Sequence, residues 1–366
     1  MRAAVDILSP DLVLLGRIND YEGLSYTRAL ADLDSKWELK INFNKKHVDK
    51  LVRGNIILID ANPALAGIIE YRSVALDDNG GETLTVQGYT LTNLLSRRIT
   101  IPPAGAANWT KKGAAETVLK ELVWANFNGS ADTNRHVANL VIADDQGRGQ
   151  IVDWSSRYKV LSEECNSIFE TSAVGYHITL DYKAKQFVFD TIHGVDRTTA
   201  QNDRSWVKFS TDLNNIGEQS YIDSSLDYKN MAYVAGQGEG SDRVVIKVGD
   251  NTAGVDRREL FVDARDLENK TALPARGQQK LDEVKEILTF EGVPLATSTY
   301  VFERDYFLGD WVTVASRKWG ITLNAQITSV TESWYDDGYE LQVNFGSNIP
   351  TLSSRIRSIA KAASAK

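Results

Sequence analysis

Over the first hundred residues, apolar side chains recur at every second position. The stretch 37–43 places Trp37, Leu39, Ile41 and Phe43 on one face and Glu38, Lys40 and Asn42 on the other, which predicts a half-buried strand. Segments 55–60, 66–76 and 83–89 alternate in the same way, with turn signals at Asn62-Pro63 and over 77–81 between them. An antiparallel β unit is expected, closed by a short helix over 91–98.

The period then changes. Ala115, Val118, Leu119, Leu122 and Val123 fall at helical spacing, which predicts a helix starting near Thr110 as its N-cap. A second helix is expected over 158–173, with Leu161, Cys165, Ile168 and Phe169 on one stripe, followed by a hairpin over 175–182 and 186–191. Strands return beyond 215, over 219–236, 242–250 and 257–264, and one helix near 277–290 interrupts them. Segments 298–304, 308–316, 321–335 and 338–346 read as closing strands, the last alternating Tyr339, Leu341, Val343 and Phe345.

The pattern divides the chain into a first β domain (1–100), an inserted α/β domain (101–215), a second β domain (216–350) and a basic tail (351–366). The fold class is mainly β with α+β insertions. A chain of 366 residues exceeds what one core usually supports, in keeping with that division.

Composition narrows the function classes. With 42% hydrophobic and 25% charged residues the chain matches an ordinary globular protein, and no apolar run approaches the roughly 18 residues of a membrane-spanning helix. Cys165 is the only cysteine, so no intrachain disulfide forms. A net charge of −8 argues against general nucleic-acid binding, yet suits a wall past which DNA slides without sticking.

Candidate chemistry is sparse. Residues 233–242 run from a strand into Gly236, Gly238 and Gly240, in the manner of a phosphate-binding loop. The spacing is GxGxG, no helix follows, and 242–250 reads as a strand, so a hairpin that uses glycine to reach positive φ is expected there. Cys165 lies on an apolar helix stripe and reads as a small buried hydrophobe, not as a thiol nucleophile served by His177 or His193. Including His47 and His136, the four histidines never fall at zinc-binding spacing. The acid pairs Asp77–Asp78, Asp144–Asp145, Glu163–Glu164 and Asp336–Asp337 mostly occupy turn sequences. No catalytic, metal or cofactor site is expected.

The order of several stretches resembles a known family. Residues 84–99 (LTVQGYTLTNLLSRRI), 113–127 (GAAETVLKELVWANF), 194–216, 228–243 and the closing strands from Asp305 to Gly346 are similar to the central baseplate or tail-tip hub proteins of long-tailed bacteriophages. The resemblance implies two β-barrel-like domains related to tail-tube subunits, with smaller α/β insertions, and a homotrimer around the tail axis. It implies a structural virion component at the tail tip, joining the tail tube and distal tail ring to fibre or tip proteins. DNA and the tape-measure protein would pass through its channel. Only about twenty residues follow Phe345, without the long fibre or hydrolase extensions of many relatives, so the expectation is that either a separate protein carries receptor binding and wall cleavage or this chain is a short hub.

Within that picture Gly309 permits a tight turn into the strand 308–316 and Asp310 accepts backbone N–H bonds there, a contribution of about 1 kcal/mol. Two readings from other classes remain. One is a cell-wall polysaccharide hydrolase, which needs two carboxylates roughly 5–9.5 Å apart. The other is a carbohydrate-binding β module that uses Trp311 or Trp319.

Overall fold

The computed structural model describes residues 2–31, 35–250, 252–267, 270–295, 298–336 and 338–346. Its centre is one large sheet that joins the two ends of the chain. From one edge its strands are Ile216–Ser224, Ile287–Pro294, Gly338–Gly346 and Ile321–Tyr335. It continues through Gly23–Ala29, Lys36–Asn42, Glu82–Thr90, Ala66–Leu76, Ile56–Ile59 and Val5–Leu8 to Leu14–Ile18 at the other edge. The seam is an antiparallel register from Ser329↔Ala29 to Tyr335↔Gly23.

That seam corrects the expectation of two barrels. The first hundred residues and the closing strands form a continuous open sheet, and among the described residues its edge strands do not pair with each other. Alternation within a strand sets which face is buried but says nothing of which strand lies next to it. The alternation itself is realised: Trp37, Leu39 and Ile41 are buried with Tyr26, Leu84, Val86 and Trp334. Phe43 departs from it and is exposed, because the strand ends at Asn42.

A second core fills the other half of the sheet. Phe209 stands against Tyr306 and Phe345 with ring centroids 5.2 and 5.3 Å apart, surrounded by Phe290, Val312, Val314 and Val343. Edge-on and tilted contacts of this kind add to the apolar burial.

The inserted unit packs α1 (Ala115–Asn126) and α2 (Leu161–Ser172) against the hairpin of strands Gly175–Asp181 and Gln186–Ile192. Helix α1 starts later than its apolar spacing suggests. Residues Trp109–Ala114 are a strand paired with Ile151–Ser156, so Thr110 is not a cap and Ala114 precedes the helix without a side-chain cap bond. Tertiary pairing overrides the helical reading of Lys111 to Ala114.

The third helix also departs from expectation. Helix α3 spans Leu273–Asp282, with Pro274 in its first turn, and Ile287–Pro294 is a strand of the large sheet. Proline's fixed φ favours that helix start. The region 219–236 divides likewise: Ile216–Ser224 edges the large sheet, whereas Met231–Ala235 is the central strand of a three-stranded sheet under α3. Segment 298–304 holds only an isolated bridge, Phe302↔Tyr306. The tail 351–366 and Asp337 lie outside the described residues.

Candidate functional site

The glycine stretch is a loop between antiparallel strands, Met231–Ala235 and Val245–Gly249, with Tyr233 opposite Lys247. Gly238 (φ 108°) and Gly240 (φ 54°) occupy the left-handed region, whereas Gly236 closes the hairpin through its N–H to the Val244 carbonyl at 2.9 Å. The only helical element there is the three-residue turn Gly240–Asp242, which is too short to present aligned amides to a phosphate.

Gly309 and Asp310 lie where three segments converge. Gly309 has φ 96°, and a Cβ at Gly194 would stand 1.7 Å from the Gly309 oxygen, so the two backbones touch. The buried Asp310 carboxylate accepts from the Val195 N–H (2.9 Å) and the Phe307 N–H (3.0 Å), and it pairs with Arg197 Nε at 2.7 Å. It therefore ties the exit of the inserted unit to the start of strand Trp311–Ser316. Gly194 and Arg197 fall within the stretch 194–216 that carries the family resemblance, but nothing local to either names Asp310 as its partner.

The other candidates are scattered. Cys165 is fully buried in α2. His177 sits opposite Asp190 in its hairpin, and burial pushes its imidazole down to about 4, so it is neutral at pH 7. His136 contacts the Ser130 carbonyl. Asp77 caps its own turn, accepting from Asn79 and Gly81 N–H at 2.8 Å. Asp145 does the same for Gly147 at 2.9 Å. Trp311 and Trp319 are 39% and 44% exposed, but Trp311 opens the six-residue strand Trp311–Ser316 whereas Trp319 lies in the turn beyond its other end, so they do not form one platform.

A cleft with a buried charge cluster lies at the seam. This cleft, of about 190 Å³, is bordered by Arg28, Thr92, His177, Phe302 and Glu303. Arg28 pairs with Glu303 and Glu332, both at 2.6 Å, and its guanidinium lies 5.1 Å from the Phe302 ring centre. Tyr339 donates to the other carboxylate oxygen of Glu332, Oε1, at 3.1 Å. Burial raises the Glu332 carboxyl above its ordinary range, with Arg28 opposing. Both acids are engaged by one arginine, so the arrangement clamps strand Gly23–Ala29 to strand Ile321–Tyr335 and to the 302–308 loop. The sequence held one signal for it: Glu332 shares parity with buried Val330 and Trp334, an acid on an inward face.

The sheet's periphery is different in character. Its edge strand Leu14–Ile18 begins on exposed Leu14, with exposed Val13 just before it. Strand Ala66–Leu76 pairs with Glu82–Thr90 along nearly its whole length, but Ile56–Ile59 pairs with its other side only over Ala66–Ile68, and beyond that it exposes Tyr71, Val74 and Leu76. Unpaired strand edges with apolar side chains are templates for association.

The family model for Siphovirus ReqiPepy6 Gp37-like protein matches residues 4–347, and the chain belongs to that family. No curated protein matches the sequence. Among solved structures, the 43 kDa tail protein of prophage MuSo2 from Shewanella oneidensis is similar with TM-score 0.60 at 13% identity, over 93% of this chain and 98% of that one. A tail protein from Neisseria meningitidis MC58 gives TM-score 0.56 at 15% identity, over 95% and 97%. Prophage tail protein gp18 from Listeria monocytogenes EGD-e gives 0.53 at 12%, over 98% of each chain. The resemblance to phage tail proteins read from the sequence is borne out by the family and by this shared fold.

Proposed function

We propose that this phage tail protein is the central hub of the tail tip, a homotrimer that joins the tail tube and distal tail ring to fibre or tip proteins. The observation that carries the reading is the open sheet, whose edges and overhanging strand expose Leu14, Tyr71, Val74 and Leu76 instead of closing on themselves. Pairing such edges between copies would bury the apolar side chains and satisfy the free backbone groups, and an obligate contact of this kind exceeds about 2,000 Å². Barrel-like closure would then arise between subunits. The net charge of −8 supports a channel wall that repels DNA phosphates, so that DNA and the tape-measure protein pass without being held.

No bond is made or broken in this role. Light scattering on the purified chain is expected to give a particle of three times 40.6 kDa. A 40.6 kDa monomer that clears peptidoglycan in a zymogram would overturn the proposal in favour of a hydrolase.

A further inference from the structure

Helix α1 ends at Asn126, and the chain returns through the short turn Thr133–Arg135 to lie against residues 97–99. Between them opens a pocket of about 420 Å³, with Arg97, Arg98 and Ile99 on one side and Asp132, Asn134 and Arg135 on the other. Its charges are unevenly matched. Arg97 pairs with Glu70, and Asp132 accepts the Asn134 N–H at 3.0 Å. Arg98 and Arg135 have no ion-pair partner among the described residues.

Both arginines contact backbone carbonyls instead. Arg135 donates through Nη2 to the Ile99 carbonyl at 2.7 Å and to the Asn126 carbonyl at 3.0 Å, closing the end of α1. Arg98 reaches the Arg97 and Arg135 carbonyls only at 3.2 and 3.4 Å, rests 5.0 Å from the Phe127 ring centre, and leaves its buried Nε without a hydrogen-bond partner. Burial, then the neighbouring Arg98 charge, pulls Arg135 below its ordinary range. Two guanidiniums that repel each other, neither in an ion pair among the described residues, outweigh the one Asp132 carboxylate of the same pocket and make a site for an anion.

We propose that this pocket receives the carboxylate of an acidic side chain on a partner protein, held between Arg98 and Arg135. A planar carboxylate matches the guanidinium fork, and Asn134 stands beside it as a neutral neighbour. Nucleic acid is a poorer occupant: its binding requires a row of cations along the phosphates, and this is one isolated cluster on a chain of net charge −8. The inference does not depend on the hub reading, because it concerns binding by the purified chain.

The test is fluorescence anisotropy at low salt with labelled hexaglutamate, hexaglutamine and a single-stranded oligothymidylate. Hexaglutamate is expected to bind best, and Arg98→Gln to weaken it about ten-fold. Arg304→Gln, which removes the same charge from an exposed arginine paired with Asp305, should leave binding unchanged. Arg135→Lys keeps the charge and is expected to bind more weakly than wild type but more tightly than Arg135→Gln. The proposal fails if hexaglutamate binds no better than hexaglutamine, if Arg98→Gln and Arg304→Gln behave alike, or if the oligonucleotide binds best.

Discussion

Glu116→Ala is expected to cost about 3–5 kcal/mol, enough to unfold the α1–α2 unit near ambient temperature. Glu116 has no solvent exposure, and three groups converge on it. Lys120 Nζ lies 2.7 Å from Oε1, Arg148 Nη2 2.8 Å from the same oxygen, and the Arg148 N–H and Nε lie 2.9 and 2.8 Å from Oε2. Lys120 is itself 4% exposed, with Asp190 at 2.9 Å and the Asp144 carbonyl at 2.6 Å as its other partners. Alanine would leave a buried ammonium short of counter-charge, and that desolvation, more than the lost attraction, sets the size of the effect.

The same cluster fixes an acid dependence. Burial alone would raise the Glu116 carboxyl, but hydrogen bonds from Arg148 and Lys120 outweigh it and hold the group well below its usual range. A carboxyl depressed on folding contributes stability that is complete above its unfolded value of 4.5 and is lost progressively as pH falls below it. Urea denaturation across pH 3 to 7 should therefore show a steeper acid limb for wild type than for Glu116→Gln. Parallel limbs, or an alanine variant as stable as wild type, would refute the role given to this residue.

Asp310→Ala is expected to lose about 3 kcal/mol, lowering the melting temperature by roughly 6 °C. Read from sequence alone the residue is a turn acceptor of about 1 kcal/mol. The structure adds the Arg197 ion pair and a carboxylate side chain that is only 4% exposed, so truncation strands a partly buried guanidinium as well as two amides. Asp310→Asn should fall between the two, since it keeps one acceptor oxygen and loses the charge. A calorimetric melting temperature within one degree of wild type for the alanine variant would contradict the account.

These two cases show where sequence reading stops. Strand faces were legible because parity is local: Trp37, Leu39 and Ile41 point inward, as do Val343 and Phe345, whatever their neighbours. The helical stripe Leu161, Cys165, Ile168 and Phe169 was legible for the same reason. Partners were not. Arg28 and Glu332 lie 304 positions apart, and nothing within either segment names the other. Lys111 to Ala114 continue a helical pattern without a break, and only pairing with Ile151–Asp153 and Trp154 draws them into a sheet. Leu288 and Phe290 fit either period and draw the expected helix toward the C-terminus, whereas Pro274 marks where α3 begins. For the candidate site, Gly309 and Asp310 announced a turn, but the loop they anchor, 194–197, is visible only in three dimensions.

Assembly at the end of a tail is tested most directly by electron microscopy of the phage particles carrying this chain. An antibody against the chain is expected to mark the distal tip of every tail, where averaged images should show three-fold density around an open axis. Label along the tube, at the head junction, or absent from intact particles would contradict it.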